Sequence, residues 1–175
     1  MKLYIKIKKI HLIFLILSLS FWACGYRLSG GGALPAGIKT VSISTFINKT
    51  SMVGIENIIT GDIIYEFTRS DKVTLSSSPH SADASIAGNV NLMRVDTVAR
   101  RGSNRSLERE VTVYVALTLQ DRNGKIIKNI KEISDNEVFE VTQDKIKTEL
   151  NRRRAVKRLS PRLAEKIFNR LTEDF

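Results

Sequence analysis

The segment that most constrains the fold runs from Val111 to Leu119. Val111, Val113, Val115, Leu117 and Leu119 fall on one side, and Thr112, Tyr114, Ala116 and Thr118 on the other. Alternation with period two defines a strand with one face dry and one face wet. Asp121-Arg122-Asn123-Gly124 follows, a turn with Gly free to take positive φ. Lys125 to Ile133 then returns as the partner strand, and Glu137 to Val141 extends it after an interruption at Ser134-Asp135-Asn136. A hairpin with an apolar face needs something to cover that face. The rest of the chain must supply it.

Two segments have the right period. Met52, Ile55, Ile59, Ile63 and Phe67 recur at three and four residues, as one face of a helix does. Thr50 or Ser51 is placed to cap it, and it ends near Ser70-Asp71. Gly54 and Gly61 weaken it or permit close packing. Val156, Leu159, Leu163, Ile167 and Leu171 mark a second helix, with Asp144 as its cap. Ser160-Pro161 reads as a kink or as a break into two helices, and Ser as N-cap before Pro fits a break slightly better. Further strands are expected from Ile38 to Ile47, at Val73–Leu75, and from about Ala84 to Val95. The alternation of Val41, Ile43 and Thr45 against Thr40, Ser42 and Ser44 makes the first of them half-buried. A polar loop, Ser76 to Ser81, separates the other two, and a charged loop runs from Arg100 to Glu110. The expected fold is α+β, with two amphipathic helices packed on one face of a small mixed four-stranded sheet.

The N-terminus carries a different message. Lys2, Lys6, Lys8 and Lys9 precede an apolar run from Ile10 to Leu19, then Phe21-Trp22-Ala23-Cys24-Gly25. A charged start, a short apolar run and a small residue before the cut describe a secretory signal. The run is shorter than the ~20 residues of a comfortable membrane span. Cys24 is the single cysteine of the chain and stands at the cut site, where a bacterial lipoprotein is acylated. Residues 1–23 are therefore expected to be a lipoprotein signal peptide, 24–37 a lipidated tether containing Gly30-Gly31-Gly32 and Pro35, and 38–175 one domain. Removing the signal leaves 24 cationic against 18 acidic side chains, a net charge of +6. A basic exported domain points to anionic membrane or acidic glycolipid rather than nucleic acid.

Catalytic and metal chemistry have no visible carrier. His11 leaves with the signal, and His80 stands alone in a serine-rich loop, so no zinc site is expected. The loop Asp121 to Gly124 lacks the later ligands of a calcium site. No serine has a His–Asp pair in prospect, and Gly30-Gly31-Gly32 precedes the first strand, the wrong place for a phosphate loop. The reading is a non-enzyme with no cofactor beyond covalent lipid on Cys24.

Several short segments, in order, resemble the LptE family, the lipopolysaccharide-assembly lipoproteins of the bacterial outer membrane. They are Cys24-Gly25-Tyr26-Arg27-Leu28, Leu34-Pro35-Ala36-Gly37-Ile38-Lys39-Thr40-Val41, and Phe46, Asn48 and Thr50 in the pattern Phe-x-Asn-x-Thr. Ala82-Asp83-Ala84, Gly88-Asn89-Val90, Arg153-Arg154-Ala155 and Leu163-Ala164-Glu165-Lys166-Ile167 complete the set. The departures are Ser44-Thr45 before Phe46, where Pro is common, and bulky Phe21-Trp22 before the cut. The resemblance implies a plug inside the lumen of the outer-membrane barrel LptD. It also implies support of barrel assembly, binding of lipopolysaccharide, and a periplasm-facing lipid anchor in the outer membrane. A lipoprotein regulator of a cell-wall synthase is the alternative. Candidate contacts with glycolipid phosphate or barrel wall are Arg100, Arg101, Arg105 and Arg109 at one end of the sheet, and Lys125 and Lys128 at the other. Arg152-Arg153-Arg154 reads as a solvated helix face.

Overall fold

A computed structural model describes residues 34–100 and 107–172. Among these residues are six strands and two α-helices: β1 (Thr40–Ile43), β2 (Ile47–Asn48), α1 (Ile55–Arg69), β3 (Thr74–Leu75), β4 (Ala84–Arg100), β5 (Leu107–Asp121), β6 (Ile126–Val141) and α2 (Lys145–Thr172). The class is α+β, but the sheet has six strands, not four. Their order is β3-β1-β4-β5-β6, with β2 also paired to β4. The pairs of β1 with β3 and β4, and of β2 with β4, are parallel. The long pairs β4–β5 and β5–β6 are antiparallel. Two strands make the difference: the short β3 joins the sheet beside β1, and the expected first strand splits. Phe46 leaves the ladder between β1 and β2 and buries its ring over Gly88, where an added Cβ would lie 2.4 Å from Phe46 Cε2. β1 is also not half-buried. Val41 and Ser42 are both covered, since β1 lies between two strands and the turn Pro79–Ser81 packs on it.

The central hairpin is longer than expected. β4 and β5 continue through much of the charged segment, so Arg109 lies within a strand. β6 runs unbroken through Ser134-Asp135-Asn136, because Asp135 finds cations on α2 and so stays in the ladder. The hairpin turn is as expected. Gly124 takes φ +80°, and its amide donates to the Asp121 carbonyl.

Both helices lie on the face formed by the odd-numbered residues of β5. Val113, Val115, Leu117, Ile59, Ile63, Leu163 and Ile167 belong to one buried cluster, and the Phe67 and Phe168 rings meet edge to face at 5.0 Å. α1 begins at Ile55, so Met52 is buried ahead of the helix rather than in it. Neither Thr50 nor Ser51 caps it. Gly54 holds the N-cap position at φ +87°, a conformation in which a Cβ is strained. Gly61 has open space where its Cβ would be, so it serves no close packing. α2 is capped by Asp144 Oδ1, which accepts from the amide of Ile146 at 2.8 Å. It is one helix, not two: Pro161 sits inside it on an exposed face. The apolar stripe keeps its register on both sides of Pro161, with Val156, Leu159, Leu163, Ile167 and Leu171 all fully buried. Burying both halves in one core outweighs the ~3 kcal/mol that an interior proline costs.

Candidate interaction surfaces

The residues that resemble the family serve the architecture. Asn48 Oδ1 accepts from the amide and hydroxyl of Thr50, and its Nδ2 donates to the Met52 carbonyl and to Glu56 Oε2. Phe46 donates its amide to the buried Thr60 Oγ1 at 3.0 Å. Together these bonds set the path of the chain into α1. Asp83 Oδ2 accepts from the amides of Thr40 and Lys39, and its Oδ1 pairs with Arg122 at 3.0 Å. Hydrogen bonding with Thr40, through side chain and backbone, holds the Asp83 carboxyl below its ordinary value.

A second fastening was not anticipated. Arg158, Arg162 and Lys166 stand one helical turn apart on α2, facing β6. Asp135 Oδ2 lies 3.3 Å from both Arg162 Nε and Lys166 Nζ, and Glu137 pairs with Arg158 and Arg162 at 2.9 Å each. The hydrogen bond from Arg158 draws the Glu137 carboxyl below its ordinary value. Side chains of α2 also reach the outward carbonyls of the edge strand. Asn151 donates to Glu140, Arg158 to Val138, Arg162 to Asn136, and Lys166 to Ser134. These are every second residue, the set whose carbonyls point away from β5 in an antiparallel ladder. α2 thereby closes this half of an edge that would otherwise offer itself to another strand. The signal in the sequence was a cation every fourth residue facing carboxylates inside an apolar strand. Arg152-Arg153-Arg154 is accordingly not a uniformly solvated face: Arg152 and Arg153 share Glu149, and Arg153 also reaches the Val53 carbonyl.

The opposite face of the sheet carries no helix among the described residues. Thr112, Tyr114, Ala116, Thr118 and Gln120 on β5, Arg94 and Asp96 on β4, and Asn129, Asn136 and Glu140 on β6 line it, none of them buried. It is mostly polar, but Leu92 and Val138, 51% and 39% exposed, lie on it opposite Tyr114 and Glu110.

The candidate contacts fall at the two ends of the long strands. Arg109 is half-buried on the helix side of β5, opposite Thr97 and Phe139. Arg100 ends β4. Cys24, Arg101 and Arg105 lie outside the described residues. Lys125, exposed, follows the turn at the other end, and Lys128 is half-buried opposite Leu119. Arg109 and Asp121 are twelve positions apart on β5, about 40 Å of strand, so Arg109 and Lys125 do not share one site.

Two layers with one dry and one wet sheet face, and polar side chains spent on fastening, describe a binding module. Residues 38–171 match the LptE lipopolysaccharide-assembly family. The chain belongs to that family, which is not enzymatic. No curated protein matches the sequence. Among solved structures, lipoprotein B from Nitrosomonas europaea superposes with a TM-score of 0.57 at 15% identity, covering 85% of this chain and 90% of that one. That likeness shows the fold. Rare lipoprotein B from Shewanella oneidensis gives a TM-score of 0.49 at 10% identity, covering 75% and 92%.

Proposed function

We propose that this protein is an outer-membrane lipoprotein, acylated on Cys24, that sits as a plug in the lumen of an LptD-like barrel. In that position it supports barrel assembly and takes part in moving lipopolysaccharide to the outer leaflet. One observation carries the reading: the sheet face away from the helices, largely polar and with no helix over it among the described residues. The interior of a wide outer-membrane barrel is wet and polar, and a plug must match it. Family membership supports the same reading. Residues 1–23 are the signal, 24–37 the tether and 38–175 the plug.

Arg100, Arg101, Arg105 and Arg109 are the proposed contacts with glycolipid phosphate or with acidic barrel wall, because a guanidinium donates two hydrogen bonds to one phosphate. Lys125 and Lys128 form a second, separate group of candidates.

The test is photocrosslinking from the sheet. A photoreactive residue replacing Tyr114 or Thr118 should join the chain to a large barrel in intact outer membranes. Crosslinks to a peptidoglycan synthase instead, or none to any barrel, overturn the plug. Mass spectrometry of the mature N-terminus reads the lipid on Cys24 directly. Neutralising the four arginines should weaken glycolipid binding and flatten its salt dependence. Unchanged binding at two ionic strengths removes them from the site.

A further inference from the structure

At the hairpin end of the sheet lies a cleft of about 640 Å³, walled by Gly37, Lys39, Asp83, Asp121, Lys125 and Ile126 among others. Its charges look balanced in the sequence, two lysines against two aspartates, but the geometry divides them. Asp83 is engaged by the amides of Lys39 and Thr40 and by Arg122. Asp121 Oδ1 accepts from the amides of Asn123 and Lys125, at 2.8 and 2.9 Å. Both carboxylates line the cleft, but they spend oxygens on holding the turn and the start of β1. The ammonium groups of Lys39 and Lys125 are both exposed, and neither pairs with an acid among the described residues. Beside them, Ile38 is buried and Ile126 is 52% exposed, which gives the cleft an apolar side. Two unpaired ammonium groups beside apolar surface select an anion attached to hydrocarbon.

Position identifies which one. Gly37 is thirteen residues after Cys24. Fully extended, that segment spans at most about 45 Å. If Cys24 is acylated, this end of the domain is tethered within that distance of the bilayer. Arg100 and Arg109 stand at the far end of the strands. We infer that the Lys39–Lys125 cleft holds the phosphodiester headgroup of an anionic phospholipid from the membrane that carries the N-terminal anchor. Such a contact would fix the tilt of the domain on its tether, which a flexible segment alone cannot do. This inference rests on the lipoprotein reading above. It assigns the two ends of the sheet different ligands.

Lysine acetylation footprinting of the processed full chain tests it. The protein is placed in phosphatidylcholine vesicles with and without phosphatidylglycerol, and each lysine is read by mass spectrometry. Lys39 and Lys125 should be acetylated about fivefold more slowly when phosphatidylglycerol is present, a factor set by roughly 1 kcal/mol per lysine at an anionic surface. Lys131 and Lys157 should not change. Lys39→Gln should lower the protection at Lys125. Equal rates in both vesicles overturn the site. Protection shared by Lys131 and Lys157 overturns it too, as general adsorption. So does equal protection by inorganic phosphate in phosphatidylcholine alone, which would mark a free-anion site. A chain that fails to float with phosphatidylcholine vesicles refutes the anchor, not the cleft. Dihexanoylphosphatidylglycerol in solution is then the probe: protection of Lys39 and Lys125 supports the cleft, and its absence overturns it.

Discussion

The two faces of the sheet are built by the same strands and differ by one residue of register. On β5, Val111, Val113, Val115 and Leu119 have no exposed surface, while Thr112, Tyr114, Ala116 and Thr118 are half-buried, with no helix over them among the described residues. The dry face holds the molecule together, and the wet face is the one proposed to meet a partner. A period of two therefore separates stability from interaction along a single strand, and substitutions one residue apart should have unrelated effects.

The largest contrast comes from moving a carboxylate across the sheet. Val115→Asp places an unpaired charge in the core and should cost on the order of 4–5 kcal/mol or more. Thr118→Asp, on the wet face, should cost about 1 kcal/mol or less in the same urea titration. Similar losses for both would mean that the wet face is covered. Leu163→Ala removes a fully buried side chain from α2 and is expected to lose about 2–5 kcal/mol. A change near zero would place the helix on the sheet wrongly.

Gly88 tests the dry face where it is tightest. Gly88→Ala sets a methyl against the Phe46 ring and the Ala116 carbonyl, and overpacking of that kind costs about 1–3 kcal/mol. Phe46→Leu in the same chain should return part of it, as a double-mutant cycle would show. The fastening of α2 to the edge is a polar exception on the dry side. Arg162→Met with Lys166→Met leaves Asp135 without a cation at 6% exposure, for a loss of about 1–3 kcal/mol. Adding Asp135→Asn should recover most of the loss, and a failure to recover would mean that the cations act through packing alone.

The smallest effect is in pH. The folded carboxyl of Glu137 titrates below its ordinary value of 4.5, because Arg158 and Arg162 hold its charged form. A depressed folded pKa contributes stability that is fully present above the unfolded value and is lost as pH falls through the folded one. The midpoint of denaturation should therefore decline below about pH 4.5, and Glu137→Gln should flatten that decline. An equal decline in the variant would assign the acid sensitivity to other carboxylates.

Several of these features could be read before any coordinates. The alternation of β5 needs no partner to be recognised, since it is written in neighbouring residues. The same holds for the turn ending at Gly124 and for Asp144 as a cap, which act within four residues of themselves. The two apolar helix faces were equally legible. The arginines and lysines at the two ends were legible as charges, and their separation follows from strand length once both strands are known.

What the local pattern could not decide was everything set by a distant neighbour. Ser134-Asp135-Asn136 looks like a break until Arg162 and Lys166 stand opposite it. Ser160-Pro161 looks like a helix boundary until both sides of the stripe fall into one core. Thr50 looks like a cap, but its hydroxyl is taken by Asn48 and Met52, and Gly54 makes the entry instead. Lys39 and Lys125 are 86 residues apart, and only the parallel entry of β1 beside β4 brings them to one cleft. Periodicity and turn chemistry are local free energies, so the amino-acid sequence alone determines the central strand, its turn, the two helices and the apolar face of each. Ion pairs across elements, and the choice between breaking a helix and bending the rules within it, depend on total burial, and only the tertiary structure decides them.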